Sequence, residues 1–142
     1  MDMFFICKDA LEDSVIGNLG MAMEAKKEGY DVGVLFTEEA LAAFGGGSFR
    51  WSPLFENRDT VIKISRNATG MRIQVASEKD DRWTDISRLL KAANEAGVKL
   101  MACPIWSQIL DLNGKIPPEI TATDATTLFK EMINAKKIIG GV

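Results

Sequence analysis

Short, almost uniformly apolar runs recur along the chain, and between them the apolar positions spread out to helical spacing. Phe4-Phe5-Ile6-Cys7, Val32-Gly33-Val34-Leu35-Phe36 and Val98-Lys99-Leu100-Met101-Ala102 are too short for helices, which predicts strands buried on both faces as in a parallel sheet. Ile120-Thr121-Ala122-Thr123 and Lys137-Ile138-Ile139 predict a fourth and a closing strand. Between the first two runs, Val15, Ile16, Leu19, Ala22 and Met23 form one helical stripe that Gly29 stops, and Asp9 with Glu12 three residues on predicts a capping box at its start. Gly17 and Gly20 each cost about 1 kcal/mol of helix propensity against alanine, which close packing on the sheet would explain.

Thr37 predicts the N-cap of a short helix over Glu38 to Phe44, ended by Gly45-Gly46-Gly47. Thr84 or Asp85 opens a helix whose stripe is Ile86, Leu89, Leu90 and Ala93, ending at Gly97. Ile105, Ile109 and Leu112 predict a short helix closed by Asn113-Gly114, and Pro117-Pro118 forbids regular structure after it. Asp124 caps a last helix with Leu128, Phe129, Met132 and Ile133 facing inward. Strands alternating with helices imply right-handed crossovers and a parallel, three-layer α/β/α sheet.

From Gly45 to Trp83 that pattern lapses, and residues 45–83 read as an insertion. Thr60 to Ser65 and Met71 to Val75 alternate or carry β-branched residues, with Asn67-Ala68-Thr69-Gly70 able to turn between them, so a hairpin is expected. Its arginines, Arg50, Arg58, Arg66 and Arg72, either gather on one face as an anion or docking site or form an ordinary solvated surface.

Length places the 142 residues in one domain, large enough to bury a core without disulfides or metals. A net charge of −3 exerts no general pull on nucleic acid or anionic lipid, and no apolar run reaches the length of a membrane span. The amino end enters a strand without the features of a signal peptide, so a cytoplasmic location is expected. Two cysteines and no histidine exclude a zinc site of the usual kind and every Ser-His or Cys-His mechanism. Any nucleophile must be activated by other means.

Cys103 is where such means exist. It follows a buried strand and precedes Pro104, whose fixed φ and missing N–H suit the first position of a helix, so Cys103 is expected at the N-cap. Unpaired N–H groups and the positive dipole end favour a thiolate there, and such surroundings lower thiol pKa values from about 8.5 to as little as 3.5–7.5. A buried, merely structural cysteine is the competing reading. Cys7 ends the first strand as Cys103 ends another; a flavodoxin-like order makes these strands neighbours, and a bridge would need Cα atoms within about 7 Å. A buried structural Cys7 is the preferred reading. Lys8, next in the chain, either adds a positive charge near Cys103 or is a surface lysine.

The words Phe5-Ile6-Cys7-Lys8-Asp9, Glu28-Gly29-Tyr30-Asp31-Val32, Leu35-Phe36-Thr37 and Gly97-Val98-Lys99-Leu100-Met101-Ala102-Cys103, in this order, resemble the DsrE/DsrF-like family of sulfur-relay proteins, TusD-like subunits among them. The resemblance spans residues 4–44 and 84–140. It implies a flavodoxin-like five-stranded sheet, a homo-oligomer (a trimer or a multiple of it) and a cysteine at position 103 that carries sulfane sulfur as a persulfide. Residues 45–83 and Pro104-Ile105-Trp106 depart from the family pattern.

Two functions compete. In the first, Cys103 takes sulfur from a donor protein or low-molecular-weight persulfide and yields it to an acceptor thiol, a relay that needs no cofactor and no histidine. In the second, the scaffold is a non-enzymatic oligomeric interaction module, with Trp51, Trp83 and Trp106 as interface anchors or core residues. Flavin or nucleotide binding of the usual α/β kind is disfavoured, because the first turn, Lys8-Asp9-Ala10-Leu11-Glu12-Asp13, has no glycine and sets carboxylates where a phosphate would sit.

Overall fold

The computed structural model describes residues 1–140. Five strands, β1 (Met3–Cys7), β2 (Val32–Phe36), β3 (Lys99–Ala102), β4 (Thr121–Ala122) and β5 (Lys137–Ile139), form one parallel sheet in the order β4-β3-β2-β1-β5. The helices are α1 (Glu12–Lys27), α2 (Glu38–Phe44), α3 (Arg58–Gly70), α4 (Ile86–Glu95), α5 (Pro104–Ile109) and α6 (Ala125–Asn134). Steps from β1 to β2 to β3 run in one direction, so right-handed crossovers set α1 and α4 side by side on one face, where they pack together. The return from β4 to β5 crosses the sheet the other way and carries α6 to the opposite face. This is the three-layer parallel architecture expected from the apolar runs.

All five residues of β2 are buried, as the middle strand of a sheet covered on both faces requires. Phe4, Phe5, Val15, Leu19, Val34, Phe36, Leu89 and Leu90 are within 1% of complete burial and form the centre of the core. Val15, Leu19 and Ala22 of α1 and Ile86, Leu89, Leu90 and Ala93 of α4 are the stripes the periodicity marked. Asp85 caps α4 by accepting the Ser87 and Arg88 N–H groups, and Asp124 caps α6 by accepting that of Thr127.

Several expectations are corrected. No hairpin exists in residues 45–83: Asn57 caps α3, and its buried positions are Val61, Ser65 and Ala68, at i, i+4 and i+7. A serine stands in the stripe where an aliphatic residue would have revealed it. It is tolerated because its hydroxyl donates to the Asp81 carbonyl at 2.8 Å and lies 3.0 Å from that of Trp83. Residues 71–75 are turn rather than strand, with Arg72 at φ 64°. Helix α1 begins three residues after the expected Asp9 cap, because Ala10 and Leu11 are held extended by Arg50: its N–H bonds the Ala10 carbonyl and its carbonyl accepts the Glu12 N–H.

Gly17 faces open space and Gly20 approaches only Ile73, so neither glycine serves packing on the sheet. On α6 only Leu128 is fully buried; Phe129 and Ile133, expected inward, are 53% and 82% exposed. The stripe is real, but among the described residues no element covers its outer half.

Candidate functional site

Because the strands are parallel and in register, their carboxyl ends share one edge. Cys7 pairs with Phe36 and Phe36 with Ala102, so Cys103 projects one residue beyond this row. Its N–H bonds the Phe36 carbonyl at 3.0 Å, extending the ladder by one rung, after which the chain turns into α5. Cys103 occupies the N-cap of that helix with extended backbone (φ −60°, ψ 122°), and Pro104 is its first residue. The Cys103 carbonyl accepts the Ser107 N–H at 3.0 Å, while its side chain accepts no capping hydrogen bond. The helix is only six residues long, and Cys103 is buried, with 7% of the residue exposed.

The supporting residues are placed differently from expectation. Strands β1 and β3 are not neighbours, since β2 lies between them. Two inter-strand spacings of about 4.8 Å separate the Cys7 and Cys103 backbones by roughly 10 Å, beyond disulfide reach. Both cysteines are free thiols. Cys7 is completely buried, and burial, with Asp9 adding to it, pushes its thiol up to about 12. Lys8 is half-buried at the end of β1, its carbonyl accepting the Ala40 N–H, two strands away from Cys103 rather than on an adjacent one.

The surroundings of Cys103 are apolar. Trp106 of α5 packs against the core, whereas Ile105 and Ile109 on the same helix are 55% and 63% exposed. A groove of about 990 Å3 opens immediately past the cysteine, lined by Pro104, Ile105, Gln108, Ile116, Pro118 and Ala125 among others. It runs along the margin of the sheet where β4, two exposed residues long, is the edge strand. Among the described residues, no three His, Cys, Asp or Glu side chains gather to hold a metal ion, and no helix is long and apolar enough to cross a membrane.

The arginines of the insertion do not gather. Arg50 meets Glu39 at 4.0 Å and Arg66 meets Asp81 at 3.4 Å, while Arg58 and Arg72 line different cavities. Reading the sequence missed a contact that the fold creates near the sheet's carboxyl edge. The Thr84 hydroxyl donates to Glu12 at 2.7 Å, beside Trp51, Trp83 and Arg58. Seventy-two positions separate Glu12 from Thr84, and no local spacing announces such a pair.

The ychN protein from E. coli, known from its crystal structure, superposes over 99% of either chain with a TM-score of 0.57 and 12% sequence identity. That likeness is one of fold. The five-stranded parallel α/β/α architecture that the sequence resemblance implied is thus shared with that protein. No family model matches the chain, and no curated protein matches its sequence.

Proposed function

We propose that the protein is a sulfur carrier in which Cys103 holds sulfane sulfur as a persulfide and passes it to an acceptor thiol. The observation that carries this reading is the position of Cys103: at the carboxyl end of an inner parallel strand, at the N-cap before Pro104, just beneath the surface at that edge and 7% exposed. Ligand chemistry in open parallel sheets concentrates at this edge. The DsrE-like fold supports the reading.

The Cys103 thiolate attacks the outer sulfur of a donor persulfide; a new S–S bond forms, the donor's S–S bond breaks, and the donor leaves as a thiolate. Transfer onward repeats the exchange with Cys103 as the leaving thiolate. No electrons are gained or lost overall, so neither metal nor flavin is needed. The groove beside Pro104 and Ile105 gives an acceptor a place to approach.

The test is intact mass after incubation with a persulfide donor. Wild-type protein and Cys7→Ser should gain one sulfur, about 32 Da, that a reductant removes, and Cys103→Ser should fold but gain none. An unmodified wild type, or an adduct that survives in Cys103→Ser, would sink the carrier reading.

A second reading, an oligomeric interaction module, is favoured by the apolar surface on α5, α6 and β5: Ile105, Ile109, Phe129, Ile133 and Ile138 are all exposed, from 49% to 82%. Burying them against further copies of the chain is compatible with sulfur transfer. Light scattering at micromolar concentration should show an oligomer, and Ile133→Glu should weaken it.

A further inference from the structure

Trp51, Trp83, Glu12, Thr84 and Arg58 line a separate cavity of about 430 Å3, which the carrier reading leaves unused. The volume falls within the range of small-molecule sites. Three elements converge here: the start of α1 provides Glu12, the start of α3 provides Arg58, and the loop entering α4 provides Trp83 and Thr84.

Each wall has its own chemistry. The guanidinium of Arg58 lies 5.9 Å from the Trp83 ring centroid, as does that of Arg82. Arg82 is already engaged with Asp80 at 2.7 Å, whereas Arg58 has no carboxylate partner among the described residues. Trp83 is 40% exposed, so part of its indole surface remains accessible beside the two guanidinium groups. Glu12 accepts the Thr84 hydroxyl on Oε1. Burial, and secondarily the Asp13 charge, raise its carboxyl above the ordinary range while the Thr84 hydrogen bond opposes them. A carboxylate short of water beside indole gains most from a ligand that brings N–H donors.

The cavity therefore offers a partly exposed aromatic wall, a paired acceptor and, over that wall, one cation without a carboxylate partner among the described residues. A simple cation is disfavoured by Arg58, and a polyanion by Glu12 and Glu56. The occupant that satisfies all walls is a flat heterocycle whose edge carries a ring N–H beside an exocyclic amine, with a single anionic group attached. We infer that this cavity binds the 2-amino-4-oxopyrimidine edge shared by guanine and pterin, with Glu12 accepting both N–H groups, Trp83 stacking on the ring and Arg58 meeting a phosphate or carboxylate. This differs from the usual α/β nucleotide site, because the first turn's carboxylate faces the base and not the phosphate.

Isothermal titration of the full chain with GMP and with pterin-6-carboxylate tests it and separates the two sources of the edge. Binding of either one is expected, and the tighter of the two names the source. Removing one N–H donor should weaken binding about 10-fold, so IMP should bind below GMP, and lumazine-6-carboxylate below the pterin; AMP, which presents a ring acceptor to Glu12, should be weaker still. Glu12→Gln should lose about 10-fold or more, and Arg58→Ala should abolish the preference for GMP over guanosine. Cys103→Ser should bind like the wild type, so failure of the carrier reading leaves this test intact. No binding of either compound at millimolar concentration, AMP binding as well as GMP, or a folded Glu12→Gln with unchanged affinity would each overturn the inference. Should Glu12→Gln not fold, the ligand series on the wild type decides alone.

Discussion

Both cysteines are buried, Cys7 completely and Cys103 with 7% of its surface exposed at the sheet's carboxyl edge, and alkylation of the native protein should separate them. Cys7 is 0% exposed, and its thiol is pushed from 9.0 to about 12 because a thiolate there would lose its water, with Asp9 nearby adding to the cost. At pH 8 a thiol of that pKa is about 0.01% ionised, roughly a thousandfold less than an ordinary one, so reaction at Cys7 awaits local or global unfolding. Iodoacetamide at pH 8 followed by peptide mapping should label Cys103 and spare Cys7, and labelling in guanidinium should reach both. The same shift has a thermodynamic consequence. Because the folded-state pKa is raised, the native state keeps its proton longer than the unfolded chain: the contribution is fully present below about pH 9 and is lost as pH rises toward 12. Stability should fall by about 1 kcal/mol near pH 10 and by about 3 near pH 11 from this group alone. Tyrosine and lysine titrate in the same region, so the quantity to measure is the difference between urea midpoints of wild type and Cys7→Ala across pH 8 to 11. The gap should narrow as pH rises. Equal native labelling of both cysteines, or a gap that stays constant through pH 11, would refute the assigned burial of Cys7.

Ser65→Ala should cost about 1–3 kcal/mol by denaturant titration, because the Asp81 and Trp83 carbonyls lose the hydroxyl they share. Gly17→Ala should stabilise by about 0.5–1 kcal/mol, since the added methyl meets nothing within 4 Å on the exposed side of α1, and the thermal midpoint should rise. Leu89→Ala should cost about 2–5 kcal/mol, its side chain being fully buried between α4 and the sheet, and its urea midpoint should drop without loss of the native circular dichroism spectrum. Asp124→Ala should lose about 1 kcal/mol by removing the cap that accepts the Thr127 N–H at 2.7 Å, measurable as a lower thermal midpoint.

Much of this architecture was written in local pattern. Apolar runs such as Val32 to Phe36 have no stable place except between two covering layers, and capped stripes such as Asp85 to Ala93 have one face to bury. Strand, cysteine and proline in succession likewise placed Cys103 at a strand-to-helix turn, because Pro104 restricts the backbone on either side of it. Strand order is not local. Whether β1 or β2 adjoins β3 depends on how whole layers pack, so the separation of Cys7 and Lys8 from Cys103 emerged only from the sheet. Helix α3 escaped notice because Ser65 replaces an aliphatic residue in its stripe, and the carbonyls that make the substitution tolerable lie on a loop sixteen and eighteen positions away. The exposed half of α6 and the Glu12–Thr84 contact share that cause: burial and pairing depend on which surfaces meet, and side chains that meet across seventy positions leave no periodic trace in the chain.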